Sequence, residues 1–377
     1  VGIGYLVRQT DREVIMGNAS GTTVKNRVEL YDWVRIIATL FVVIGHSSYL
    51  NIQTTYGAVG YRLPAELAPA YGGTLLSFFR FLSEWVDGFQ IPLFFFLSGA
   101  VLGLKSLMSF DKFIISKFKR LIIPYYLAGV FFMFPIKTLG SFYNFETVRL
   151  AITTFWNGEE SGHLWFLISL FWCMIAFVIL VKILQRANVN STFLILLICY
   201  IVTLIYDYIP FDFLKMKAGL GFLFWFAAGY VFEEYRKKHN FLYARSVLIC
   251  VLLIIFYSFN SRYYLLDGFF TNALGIFFAI ELSIVLSPLF RFINRKAHKQ
   301  YTFFIKRLFD IYIFHDPLQY IVLRAFFENN LLTSNVGCYL YLFMRTVGVI
   351  SVSILIGSII DVLKREVKSK VKSDTKS

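Results

Sequence analysis

Residues 31–48 read Tyr31-Asp32-Trp33-Val34-Arg35-Ile36-Ile37-Ala38-Thr39-Leu40-Phe41-Val42-Val43-Ile44-Gly45-His46-Ser47-Ser48. An unbroken apolar run of this length is what a helix needs to cross a bilayer. Two residues in it do not belong in hydrocarbon, Arg35 and His46. Eleven residues apart on a helix, they lie about 20° from eclipsed and roughly 16 Å apart along the axis. One face therefore carries both, and groups this polar are tolerated in a span when that face borders a bundle interior or a wet cavity. The alternative is that Arg35 anchors the helix by snorkelling and His46 is a polar residue near the far interface.

The rest of the chain repeats the first span's character. Of 377 residues, 58% are hydrophobic and 16% charged, with a mean hydropathy of +0.64. That excludes an ordinary soluble enzyme, which is about a quarter charged. The four cysteines, Cys173, Cys199, Cys250 and Cys338, lie far apart inside apolar runs, so a disulfide scaffold is excluded too. About ten stretches are long enough to cross or nearly so: 33–50, 85–104, 121–136, 163–181, 193–210, 218–232, 246–259, 268–286, 309–327 and 336–360. The fold class expected is all-α, a polytopic integral membrane protein of about ten helices around a central cavity. A polar segment (1–30) precedes the membrane domain (31–362), and a basic tail (363–377) follows it.

Charge placement orients the chain. With a cytoplasmic N-terminus, inside segments hold 27 of the 37 Lys and Arg and outside segments seven, with Arg35, Arg324 and Arg345 inside spans. This is the positive-inside pattern, and it accounts for the net charge of +14 without nucleic acid. Both termini are expected in the cytoplasm, with no cleavable signal peptide, and translation could start at Val1 or Met16. Residues 51–83 and 137–162 read as outside loops. Residues 110–120 read as an interfacial amphipathic helix, with Phe113, Ile114 and Phe118 opposite Lys112, Lys117 and Lys119. No fixed-period repeat or inverted duplication is visible, and no metal-ligand spacing or Ser-His-Asp order appears.

Further polar groups fall in or beside the spans. Pro92-Leu93-Phe94-Phe95-Phe96-Leu97-Ser98-Gly99 sets small residues and a proline in an aromatic run, a packing feature in its own right. Arg120 and Pro124 open the third span, His163-Leu164-Trp165-Phe166-Leu167 the fourth, and Tyr312-Ile313-Phe314-His315-Asp316-Pro317 lies in the ninth. Glu281 and Arg345 could pair with each other, and Asp32 could orient Arg35 from one turn away.

These stretches, with Phe226-Ala227-Ala228-Gly229-Tyr230, occur in the order found in the acyltransferase-3 family of integral-membrane O-acyltransferases, which the chain resembles over about residues 31–361. Arg35, ten residues and His46 match that family's arginine–histidine signature. Asp316 departs from it, standing where members are usually apolar, and the hydrolase-like extracellular domain of some larger members is absent from the sequence. The resemblance implies His46 as the essential catalytic residue and Arg35 as a catalytic-site residue engaging the donor. Arg120, Lys119, His315 and Tyr312 would assist on the donor side, and His163, Trp165 and Ser98 would serve the acceptor side or the framework. It further implies an acyl-CoA donor, acetyl-CoA first, with no bound cofactor and no metal. The acceptor would be a hydroxyl of a cell-surface or exported glycan, and the location a bacterial cytoplasmic membrane. A permease or flippase, or a polysaccharide polymerase, is the reading without acyl chemistry.

Overall fold

The structure is a computed structural model, and it describes residues 28–47, 73–105, 108–189, 191–239, 247–263 and 268–374. The polar N-terminal segment and the Gly- and Tyr-rich part of the first outside loop, 48–72, lie outside the described residues. Every described element is helical, as bilayer-length apolar runs require when no water is at hand to satisfy backbone groups.

The helices follow in chain order: α1 (Glu29–Ser47), α2 (Gly73–Asp87), α3 (Gln90–Gly103), α4 (Phe110–Leu139), α5 (Phe145–Phe155) and α6 (Trp165–Arg186). Then come α7 (Thr192–Ile205), α8 (Met216–Gly221), α9 (Leu223–His239), α10 (Val247–Tyr263), α11 (Gly268–Val285), α12 (Ser287–Lys296) and α13 (His298–Glu328). The last two are α14 (Asn335–Phe343) and α15 (Val349–Asp374), joined by a π-turn at Met344–Gly348. Among the described residues each of the ten apolar stretches is mostly helical, in the expected order. Among the described residues five spans are long and apolar enough to cross a bilayer, namely α1, α4, α6 with the turn before it, α11, and α14 continued by α15. A sixth is the pair α2 and α3, bent by 42°. The others are shorter or carry more charge; α9, for example, ends in Glu233, Glu234, Arg236, Lys237 and Lys238.

Two expectations change. Residues 73–83, read as loop, begin helix α2, so the second span starts earlier and breaks at Gly88 and Phe89. Tyr257 donates to the Trp85 carbonyl beside that break at 2.7 Å. Residues 110–120 are not a separate interfacial helix. They run unbroken into the third span, with Phe113 buried but Phe118 exposed. Two prolines ought to interrupt α4, because each lacks an N–H and crowds the carbonyl four residues back. Those carbonyls belong to Arg120 and Phe131, and each sits in a π-turn, Phe118–Ile122 and Gly129–Met133. The wider turns absorb Pro124 and Pro135 without ending the helix.

The tightest contact in the bundle is between α3 and α9. A Cβ on Gly99 would lie 1.9 Å from the Phe226 carbonyl oxygen, and one on Gly229 1.8 Å from that of Phe96. Main chain touches main chain there, the use that small residues have between membrane helices. This fixes α3 beside α1 and places Phe94 and Ser98 on a cavity wall.

Candidate active site

The site forms where α1, α4, α13 and the turn ahead of α6 converge. Pro317 shapes it first. Having no N–H, it leaves the Ile313 carbonyl without its helical donor. His163 Nε2 donates to that oxygen at 2.8 Å, and the Tyr312 hydroxyl returns a bond of 2.7 Å to the His163 carbonyl. His163, expected near an outer interface, is thus buried against α13. The preceding Gly162 has φ +50°, and a Cβ there would sit 3.0 Å from Lys137 Nζ. Glycine at 162 is what lets that ammonium in.

Asp316, beside the proline, is the hub. Its Oδ1 lies 3.0 Å from His46 Nδ1, and its Oδ2 lies 3.1 Å from both Lys137 Nζ and His163 Nδ1. The carboxylate is 7% exposed and Lys137 3%, so each is the other's counter-charge in a buried setting. Lys137 also lies over the rings of Phe142 and Tyr320, 4.8 and 4.7 Å from their centroids. A carboxylate only accepts, so His46 Nδ1 carries the hydrogen and the neutral ring's Nε2 holds a lone pair. Orientation of an imidazole by a buried carboxylate is the arrangement that keeps a histidine in its reactive tautomer.

The end of α1 is held just as firmly. Its last carbonyls have no intrahelical donors. Ser83 donates to the Gly45 oxygen, and Arg345 Nη2 donates to the His46 oxygen at 2.8 Å. Arg345, fully buried in the π-turn, also donates to Gln319 Oε1 at 2.6 Å and to the Tyr341 hydroxyl. Gln319 returns a bond of 2.8 Å to the Arg345 carbonyl.

Two adjoining cavities open from this cluster. The smaller, about 50 Å³, is lined by His46, His163, Trp165 and His315. The larger, about 200 Å³, is lined by Arg35, Ser98, Lys105, Lys117 and Arg120 together with mainly apolar side chains, and no acidic residue among the described ones lines it. Phe94, Phe166 and Tyr312 belong to both walls. Arg35 and His46 therefore border two separate cavities that have an aromatic wall in common. Asp32 stands 3.8 Å from the Arg35 guanidinium, the one-turn pairing its spacing suggested.

Three candidates lie elsewhere than their expected roles place them. Lys119 is exposed and lines neither cavity, because α4 turns Lys117 and Arg120, three residues apart, to the same side. His315 borders the small cavity beside His46 rather than the basic one. Ser98 lines the basic cavity rather than the acceptor side. Among the described residues no group of three His, Cys, Asp or Glu has the arrangement to hold a metal ion.

A family model for an acyltransferase domain matches residues 29–360, from the start of α1 nearly to the end of the membrane-spanning part of α15. The chain belongs to the acyltransferase-3 family. It is an acyltransferase, and the readings without acyl chemistry fall away. No curated protein and no solved structure matches the chain significantly. Within this acyltransferase, sequence reasoning missed Lys137, Gln319, Tyr320 and the central position of Asp316. A signal for three of them was present: Asp316 lies four residues after Tyr312 and three and four before Gln319 and Tyr320, a polar stripe along one side of α13.

Proposed function

We propose that the protein takes an acyl group from a cytosolic acyl-CoA, acetyl-CoA first, and esterifies a hydroxyl of a cell-surface or exported glycan. It would do so as a ten-span protein of a bacterial cytoplasmic membrane with both termini inside. The observation that carries this reading is the His46 ring, oriented by Asp316 beside a small cavity whose aromatic wall also lines a second cavity bearing four cations.

The donor's chemistry fits these two cavities. Coenzyme A bears a pyrophosphate and a ribose phosphate at one end and the thioester at the other, joined by a slender pantetheine arm. Arg35, with Lys105, Lys117 and Arg120, supplies charge for phosphate at the basic end, where guanidinium–phosphate bonds are strong and directional. The arm would pass between Phe94, Phe166 and Tyr312, bringing the thioester carbonyl to His46 Nε2. The Asp316 carboxylate then offsets positive charge developing on the imidazole, as general-base and nucleophilic routes both require.

The test is the ester content of surface glycans, read by mass spectrometry in cells with the wild-type gene, without it, and with His46→Ala. The expected result is loss of one acyl mass in the last two, with His46→Ala protein present at the wild-type level. Unchanged ester content with His46→Ala would remove His46 from the chemistry. Unchanged content without the gene would remove the glycan as acceptor.

A further inference from the structure

His315 is the one histidine of the cluster to which the reading above gives no task. It is completely buried, and its Nδ1 lies 3.0 Å from the Ile311 carbonyl and 2.8 Å from that of Tyr312. Carbonyls only accept, so Nδ1 carries the hydrogen and the neutral ring's Nε2 is a lone pair. That Nε2 is buried and has no hydrogen-bond partner among the described residues. A buried acceptor in this state calls for a donor, and the side chain lines the small cavity with His46. The ring centroids of His315 and His46 are 5.0 Å apart, and those of His315 and His163 5.5 Å.

The cavity is small enough to restrict what that donor can be. At about 50 Å³ it holds about four water-sized atoms, the count of an acetyl group and one hydroxyl oxygen. In these tautomers neither His46 nor His315 has an N–H to offer a substrate oxygen. On this tautomer assignment the two histidines bordering the cavity supply two basic nitrogens, matching the reaction's two electron-poor atoms, the acyl carbon and the hydroxyl proton. His46, backed by a carboxylate, is suited to carry positive charge while bonded to carbon. His315, backed only by two main-chain carbonyls, is suited to accept a proton and release it.

Resting on the acyl-transfer reading, we propose that His315 is the base for the acceptor hydroxyl and that His46 carries the acyl group. In the first step His46 Nε2 forms a bond to the thioester carbon, the C–S bond breaks, and its electron pair leaves on the thiolate. In the second, the acceptor oxygen bonds to the acyl carbon as its proton passes to His315 Nε2, and the C–N bond breaks with its pair returning to His46. His315 then gives the proton to the thiolate, so the sum is thioester plus alcohol to ester plus thiol. The lone pair on His315 thereby assigns it to the acceptor, not to the donor channel.

The experiment uses [1-¹⁴C]acetyl-CoA with inside-out membrane vesicles of the producing cell as the acceptor source, and purified protein for acid-quenched peptide mass spectrometry. His315→Gln keeps a hydrogen-bond acceptor near the Nε2 position but no base. The expected result is transfer at least a hundredfold slower, affinity for acetyl-CoA within threefold of wild type, and an acetyl mass building up on the peptide that contains His46. Wild-type protein without acceptor should show the same acetylated peptide, a readout that does not depend on how well a variant folds. Transfer by His315→Gln within threefold of wild type, a tenfold loss of acetyl-CoA affinity, or no acetylated His46 peptide in either protein would each overturn the proposal. Wild-type vesicles that esterify no acceptor with acetyl-CoA or a longer thioester would instead overturn the acyl-transfer reading on which it rests.

Discussion

The two ends of α1 are built on opposite principles. At Arg35 the guanidinium is 36% exposed, its carboxylate neighbour Asp32 is 3.8 Å away, and three other cations line the same cavity. At His46 the ring is held by Asp316 at 3.0 Å and its carbonyl by Arg345 at 2.8 Å, each of those being anchored by further buried partners. Excess like charge in a concave wall is a standing deficit that a polyanion fills. A buried cluster in which the Asp316 carboxylate faces the Lys137 ammonium has no such net excess and spends its interactions on geometry. The contrast separates a region that recognises from a region that positions.

Breaking the positioning end should have the largest effect. Asp316→Asn replaces a group that only accepts with an amide that can also donate, so the His46 tautomer is no longer fixed, and that change in an Asp-His pair costs about 10⁴ in turnover. Transfer measured with labelled acyl-CoA should fall by about that factor while donor affinity stays within twofold. Retention of a tenth of wild-type turnover would show that the carboxylate does not act through His46. The same change strands Lys137 as a buried cation, and breaking a buried pair costs about 3–5 kcal/mol. Adding Lys137→Met to Asp316→Asn should therefore raise the melting temperature above that of the single variant without restoring activity. If the double variant melts no higher, Lys137 is neutralised by something other than Asp316.

Breaking the recognising end should be milder and of a different kind. Arg35→Ala removes charge-assisted bonds, each worth about 1.5–3 kcal/mol, so KM for the donor should rise by roughly tenfold to a hundredfold with kcat nearly unchanged. Arg35→Lys should recover part of that loss, because an ammonium keeps the charge but not the planar fork. A fall in kcat with KM constant would place Arg35 in the chemistry instead. The smallest difference is the sharpest. Lys117→Ala should raise KM about threefold, by loss of one partly screened charge, and Lys119→Ala should leave it unchanged. Equal effects of the two would mean that α4 presents a diffuse basic surface rather than one lined cavity.

Much of this site was legible as spacing. Arg35 and His46 share a face because helical geometry makes them do so, and each borders one of two cavities that share Phe94, Phe166 and Tyr312. Asp316 was visible as an oddity, a carboxylate in an apolar span, but its partners lie 270 and 179 residues away in the chain, on other helices. Lys137 was misread because a lysine at the apparent end of a span has the local pattern of a loop. Only the packing of α4 against α13 turns its ammonium inward over Tyr320. Residues 73–83 and 110–120 were misplaced for a related reason: helix boundaries depend on neighbours such as Tyr257, and prolines end a helix only where no π-turn takes up the strain.

By itself the sequence determined what each segment can do alone. Long apolar runs must be helical in lipid, charge bias predicts which side each loop occupies, and eleven residues on one helix put an arginine and a histidine on one face. These follow from local geometry and transfer energies, which need no partner. Tertiary structure decided everything that takes two helices. It set Gly99 against the Phe226 carbonyl and Gly229 against that of Phe96, gave the Ile313 carbonyl freed by Pro317 to His163, and brought Asp316 to His46 and Lys137 together. A buried carboxylate persists only where its counter-charges arrive from elsewhere in the chain, and that arrival is a property of the fold.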